Sequence, residues 1–244
     1  MSSHHVLQGL LMAAKPRALV AAFQTVRQTL GHAAPDHRRS QRSYGAMAQI
    51  YELRTSSGDH GRRELVECLA PRSGEVILDV GCGSGRNFDQ IRRRIGPSGR
   101  LIGVEPSPEM LAQARALVRR RGWTNVELIC ATAEKATIPT QVDAAILCAV
   151  HDVMRSPRAL TNILGHVRQG GRIAAGGPKW VAWRPQTIAL NLATWRLNRD
   201  CVSTFEGFIT PWSRLAELVE DLHVDERYGG AGYVASARCD RADR

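Results

Sequence analysis

The run EVILDVGCGSGRN, residues 75–87, decides the fold. Its first half is apolar and β-branched enough for a buried strand, and its second half turns abruptly to glycine. Gly81, Gly83 and Gly85 alternate, so the backbone can turn sharply there and approach a ligand with no Cβ in the way. A helix is expected over Arg86 to Ile95. Its N-terminal amides would carry about half a positive elementary charge towards the loop. Asp79 sits near the end of the strand. Glu105 ends the next strand, RLIGVEP, 20 residues after Gly85, where a carboxylate can accept both hydroxyls of a ribose. Loop, acid and strand context together describe a nucleoside-binding βαβ unit.

Outward from that unit the alternation continues. Ser107 and Pro108 have the cap and first-turn chemistry of a helix start, and the helix is expected to run to Arg121, before Gly122. Met110, Leu111, Ala114, Leu117 and Val118 form its buried stripe. NVELICA and VDAAILCAV read as strands three and four, SPRALTNILGHV as a helix, and GGRIAAGG as strand five. TPWSRLAELVEDL reads as a helix, and HVDERYGG and AGYVASAR as two last strands. Strands alternating with helices of this length predict an α/β fold, a doubly wound, mostly parallel, Rossmann-like sheet of seven strands.

Two segments stand outside the alternation. Residues 1–43 are expected to be an N-terminal helical extension and linker, interrupted at Pro16, ahead of a domain over residues 44–244. Residues 178–210 form an insertion after strand five. Trp180, Trp183, Trp195, Phe205, Phe208 and Trp212 fall within a window of 33 residues there, six of the chain's 13 aromatics.

Composition excludes more than it selects. Of 244 residues 43% are hydrophobic and 23% charged, enough for a packed core. No uncharged apolar run approaches the roughly 20 residues of a membrane span. The opening, MSSHHVLQGLLMAAKPR, makes a poor secretory signal, since its basic residues follow the apolar stretch. The six cysteines show neither CxxC nor metal-like spacing, and the histidines lack partners at ligand spacing. A reduced, cytoplasmic protein without a metal site is expected. The formal charge is +10, yet the arginines are scattered in clusters along the chain, including Arg62 and Arg63. They read as solvated helix faces, and no nucleic-acid partner is expected.

The spacing GxGxG, with Asp79 two residues before the first glycine, separates two cofactors. A carboxylate there would repel a pyrophosphate but suits a ligand bearing an ammonium and a sulfonium. At this point the sequence resembles the class I S-adenosylmethionine-dependent methyltransferases, whose first motif, LDVGCGxGxN, is matched by Leu78 to Asn87. GVEPSPEML is similar to their second motif. The resemblance implies that Gly81, Cys82, Gly83, Gly85 and Asn87 surround the methionine portion of S-adenosyl-L-methionine, or of the product S-adenosyl-L-homocysteine. Asp79 would reach the ammonium directly or through water. Glu105 would hold the ribose, with Pro106 and Met110 in the adenine pocket. The Thr132-Ala133-Glu134 run departs from the family's usual Asp-Ala, leaving the Ala133 amide for a ring nitrogen and Thr132 in the place of the Asp. Cys148 would lie along the methionine arm. Tyr44 and Tyr51 resemble the family's tyrosine preamble, the first of which closes over the cofactor.

For catalysis, His151 follows strand four at the carboxyl edge of the sheet, as a base or acceptor-orienting group, or else as a loop histidine bonded to backbone. Asp152 would orient it or bind an acceptor cation, and Tyr44 is the third candidate. The motifs of adenine-amine and pyrimidine-carbon methylation are missing. The six insertion aromatics are expected either to contact a flat or cationic acceptor or to pack the insertion onto the sheet. The expected function is methylation of a small molecule, an aromatic or amine-containing specialised metabolite, with an isoprenoid or quinone-like precursor as the alternative. A non-catalytic S-adenosylmethionine-binding module and an NAD oxidoreductase are the readings from other classes. Monomer and homodimer both stay open.

Overall fold

A computed structural model describes residues 59–199 and 201–239. The expected N-terminal extension, Tyr44 and Tyr51 lie outside the described residues. The elements below belong to one compact unit, and Thr204–Glu206 falls outside that unit.

In chain order the unit runs α1 (Asp59–Leu69), β1 (Val76–Val80), α2 (Phe88–Ile95), β2 (Arg100–Val104), α3 (Pro108–Arg121), β3 (Val126–Ile129) and β4 (Val142–Cys148). There follow α4 (His151–Arg155), α5 (Pro157–His166), β5 (Val167–Pro178), α6 (Ile188–Asn198), α7 (Ser213–Ala216), β6 (Glu220–Arg227) and β7 (Gly232–Cys239). Seven strands form one sheet in the order β3-β2-β1-β4-β5-β7-β6. β1 pairs in parallel with both β2 and β4, and β7 runs antiparallel to β5 and β6. The strand order reverses between β1 and β4, so their carboxyl ends open a crevice, the place where doubly wound sheets bind ligands.

Alternation along each strand sends side chains to two cores. Leu78, Val80, Ala145 and Leu147 pack with Met154, Leu160 and Ile163 of α4 and α5. Ile77, Ala144 and Ile146 pack on the other face with Leu65, Val66 and Leu69 of α1 and Phe88 and Ile91 of α2. Each fully buried side chain of this size is worth about 1.5–3 kcal/mol of burial. Asp79 shares the second face with Ile77, so a carboxylate sits in an otherwise apolar layer.

The caps follow the sequence closely. Ser107 accepts from the Met110 amide at 3.3 Å at the start of α3, and Ser156 accepts from Ala159 at 3.2 Å at the start of α5. Three expected boundaries change. The helix expected from Arg86 begins at Phe88, and a short separate helix, α4, precedes α5. The helix expected over residues 210–222 stops at Ala216, because Glu220–Leu222 are taken into β6. There Glu220 pairs with Arg238, and Asp221 takes a left-handed φ of 51° at a register shift. Cross-strand pairing outweighs the helical period of Leu215, Leu218 and Leu222.

The insertion is anchored at both ends. The Trp180 amide donates to the Phe208 carbonyl at 2.8 Å, and buried Asn191 of α6 exchanges two 3.0 Å hydrogen bonds with the Val181 backbone.

Candidate functional site

The crevice is a cleft of about 1000 Å³, counting its part open to solvent. Its walls come from the β1–α2 loop, the end of β2, the Thr132–Glu134 turn, the segment after β4, Arg62 of α1 and Cys201. Sequence-distant segments meet there because all lie at the carboxyl edge of the sheet.

The glycine loop has the conformation its residues allow. Gly81 and Gly83 take φ of 65° and 56°, and a Cβ on Gly81 would stand 2.4 Å from Val150. The loop therefore packs directly on the segment after β4, and the close approach excludes any other residue. Gly85 does not line the cleft; its φ is 87° and a Cβ there would strike the Phe88 ring at 2.7 Å. It seats α2 by letting the Phe88 ring approach the backbone.

Glu105 is buried at the end of β2, accepting from the Gly83 amide at 3.0 Å and the Ser107 amide at 2.9 Å. Burial pushes its carboxyl above the usual range, and the two amides pull it back. The acid therefore fixes the glycine loop as well as facing the cleft.

Asp79 is completely buried behind the cleft wall rather than on it. Asn87 donates its amide to both carboxylate oxygens at 3.2 Å. Burial raises the Asp79 carboxyl to about 7; Asn87 and Arg62 oppose the shift and Glu105 adds to it. Among the described residues, the Ser84 hydroxyl and the Asn87 carbonyl oxygen, both in the cleft lining, are buried polar atoms with no hydrogen-bond partner. Buried polar groups are nearly always satisfied, so both oxygens can meet a polar group that enters the cleft.

Cys82, Pro106, Met110, Thr132, Ala133 and Cys148 line the cleft, as do His151 and Asp152. His151 is 7% exposed at the start of α4, with its ring edge-on to Phe208 at 4.7 Å. Phe208 meets Trp180 at 5.8 Å, and Trp180 meets Trp183 at 5.3 Å. This aromatic chain couples the insertion to the histidine. Asp152 accepts from the Ser203 hydroxyl at 2.9 Å and its amide at 3.2 Å. It thereby holds the segment that carries Cys201, two residues before Ser203.

Among the described residues that line the cleft, none is Trp180, Trp183, Trp195, Phe208 or Trp212. Trp212 packs on Tyr233 at 5.1 Å against the first core, Trp195 lies under the Arg199 guanidinium, and Phe208 is 1% exposed. Packing is the stronger demand on these rings because each removes a large apolar surface from water. Arg62, read as part of a solvated helix face, turns into the cleft and donates to the Cys148 thiol at 3.5 Å. Among the described residues no group of three or more His, Cys, Asp or Glu could hold a metal, and no helix is long and apolar enough to cross a membrane.

A doubly wound sheet with a glycine loop, a buried acid after β2 and a cleft at its switch point defines a nucleoside-binding α/β protein. Residues 77–171 match the methyltransferase domain family. Over that stretch the chain is similar to methyltransferases, and relatives and solved structures of that kind share its sequence pattern and its fold. Aklanonic acid methyltransferase DauC of Streptomyces sp. (strain C5) is 28% identical over 178 residues, covering 59% of this chain and 79% of that protein. A 37.1 kDa protein of transposon TN4556 from Streptomyces fradiae is 35% identical over 121 residues, 48% of this chain and 34% of that one. The chain thus spans about a third of the length of the second relative. The solved structure of a SAM-dependent methyltransferase from Aquifex aeolicus shares the fold with a TM-score of 0.54 and 17% identity, covering 79% of this chain and 97% of that one.

Proposed function

We propose that the protein transfers a methyl group from S-adenosylmethionine to a small-molecule acceptor. The observation that carries this is the convergence on one cleft of the left-handed Gly81–Gly83 loop, buried Glu105 and the unpartnered Ser84 and Asn87 oxygens. These suit a ligand with ribose hydroxyls at one end and an ammonium at the other.

In this reading Glu105 accepts the ribose hydroxyls, while Pro106, Met110, Thr132 and Ala133 border the adenine. Gly81, Cys82, Gly83, Asn87 and Cys148 line the methionine arm. Asp79 acts from behind the wall, giving Asn87 its orientation and the ammonium its counter-charge. The cofactor supplies an electrophilic methyl on a sulfonium. The chain's own contribution is to align an acceptor atom with it and to exclude water, worth up to about 7–11 kcal/mol in well-oriented cases.

In this reading His151 takes a proton from the acceptor or orients it. His151→Phe keeps a ring against Phe208 and removes the nitrogens, so fold and cofactor affinity should hold. Turnover of an acceptor that must be deprotonated is expected to fall by roughly 10²- to 10⁴-fold. A fall of only a few-fold would leave the histidine a packing role.

The likeness to an aklanonic acid methyltransferase supports a specialised metabolite as acceptor. An acceptor that must lose an N–H or O–H proton, such as an amine or a phenol, would suit a histidine at position 151. A cytoplasmic location rests on composition and cysteine spacing.

Calorimetric titration with S-adenosylhomocysteine, with NAD in parallel, tests the proposal. Micromolar binding of the first and none of the second is expected, followed by methyl transfer in an acceptor screen weighted to indoles, phenols and amines. No binding of S-adenosylhomocysteine would overturn the cofactor assignment, and binding without any turnover would overturn the enzymatic one.

A further inference from the structure

The insertion reaches the cleft at one place and is fastened there from outside. We infer that Asp152 is a positioning residue: it pins the returning end of the insertion to α4 and so sets the wall that the acceptor meets beside His151. The inference deepens the methyl-transfer reading above and takes from it only which side of the cleft is the acceptor's.

Among the described insertion residues of this unit, Cys201 is the one that lines the cleft. The cofactor reading uses the glycine loop, the end of β2 and the Thr132–Ala133 turn. It leaves His151, Asp152 and Val153 of α4, with Cys201, to the acceptor. Cys201 continues from the end of α6: its amide donates to the Asn198 carbonyl at 2.8 Å, and the Val202 amide donates to the same oxygen at 3.1 Å. α6 in turn is tied to Val181 through Asn191. These bonds are internal to the insertion and set no distance to the sheet.

α4 sets that distance. It meets the insertion with three side chains that fall within about a third of its circumference, at about 3.6 residues per turn. The His151 ring packs edge-on against Phe208 at 4.7 Å. The Arg155 guanidinium lies over Gly207, where φ is 69° and a Cβ would stand 2.6 Å from Nη1. One carboxylate oxygen of Asp152 accepts both the Ser203 hydroxyl at 2.9 Å and the Ser203 amide at 3.2 Å. Charge-assisted bonds of this kind are roughly twice as strong as neutral ones, and they act two residues from Cys201. α4 is itself fixed to the cofactor side, since Val150 at its start packs on Gly81 with no room for a Cβ. One short helix thus carries both the histidine and the pin for the wall beside it. A shift of that wall by about 1 Å is enough to misalign an acceptor with the methyl group.

A charge role for Asp152, towards His151 or an acceptor cation, differs from a pinning role in what asparagine should do. Asparagine loses the charge but keeps a carbonyl oxygen that can accept both Ser203 donors.

The test is iodoacetamide labelling of Cys201 on the full chain, read by mass spectrometry, beside calorimetry with S-adenosylhomocysteine. Asp152→Ala should raise the labelling rate of Cys201 by at least about five-fold, because a released segment opens locally. It should bind S-adenosylhomocysteine within about three-fold of wild type, since the glycine loop and Glu105 are untouched. Cys239, buried in the first core, should stay unlabelled. Ser203→Ala, which keeps the amide bond, should give a smaller rise, and Asp152→Asn should label like wild type. For an acceptor turned over in the screen, Asp152→Ala should raise KM by about ten-fold with kcat nearly unchanged, and Asp152→Asn should restore it. Unchanged labelling in Asp152→Ala, or an Asp152→Asn that behaves like Asp152→Ala in either assay, would overturn the pin. Labelling of Cys239, or loss of S-adenosylhomocysteine affinity, in Asp152→Ala would make the residue structural and overturn the inference as well. Shielding of Cys201 by S-adenosylhomocysteine in the wild type would put this wall at the cofactor and overturn the acceptor assignment. Failure of the wild type to bind S-adenosylhomocysteine would overturn the cofactor reading, while the labelling comparison, which needs no ligand, still decides the pin.

Discussion

Asp79→Asn should melt at a higher temperature than the wild type at pH 8 while binding S-adenosylhomocysteine at least about ten-fold more weakly. The buried carboxyl of Asp79 is raised from 3.8 to about 7 in the fold, chiefly by burial. A raised carboxyl means that ionisation is disfavoured in the folded state relative to the unfolded one. The penalty is absent below about pH 4, where both states are protonated, grows as pH rises to about 7, and is complete above that. Three units correspond to about 4 kcal/mol as an upper figure. The asparagine removes that penalty, and its remaining oxygen can still accept from the Asn87 amide. A gain of about 2 kcal/mol would raise the melting temperature by roughly 4–8 °C in a domain of this size. The difference between variant and wild type should shrink towards zero as pH is lowered to 4. Affinity moves the other way: wild-type binding should weaken below pH 7 as Asp79 is protonated, and the variant should lose that dependence. Melting curves and titrations at pH 4, 6 and 8 check both, and a destabilised variant at pH 8 would sink the account.

Glu105→Gln should be the most damaging single-atom change to nucleoside recognition. Both oxygens of Glu105 already accept backbone amides, Gly83 at 3.0 Å and Ser107 at 2.9 Å. A glutamine must turn its NH₂ towards one of those N–H groups, or turn away from both, so the loop loses its fixed position along with the acceptor for ribose. Hydrogen bonds to charged groups are worth about 1.5–3 kcal/mol each, and losing two should weaken binding by at least about 100-fold. The loss should extend to 5′-methylthioadenosine, which has the ribose and no amino-acid arm. Asp79→Asn should spare that ligand. The two variants therefore separate the two ends of the cleft, and undiminished 5′-methylthioadenosine binding in Glu105→Gln would remove Glu105 from the ribose.

What could be read along the chain was what depends on near neighbours. The glycine loop was legible because left-handed backbone leaves few residue choices, and both acids because each ends a strand next to it. Ser107-Pro108 and Ser156-Pro157 marked helix starts because a cap is a contact over three residues. The partners of Asp152 and of the aromatics were not legible, for the opposite reason. Ser203, the partner of Asp152, lies 51 residues away, and no spacing announces it. The tryptophans satisfy one another and the core, and composition cannot distinguish a ring that packs from one that waits for a ligand.

The sequence by itself determined the βαβ order, the strand that carries Asp79 and the acid that follows β2, because propensity, period and turn chemistry are local. The tertiary structure alone decided that α1 lies over β4 and β5, and so brought Arg62 to Cys148 over a separation of 86 residues. A helical period shows that one face is buried, but not which strand ends that face will meet. That choice is made by packing among distant segments, and the charge partners in the cleft follow from it.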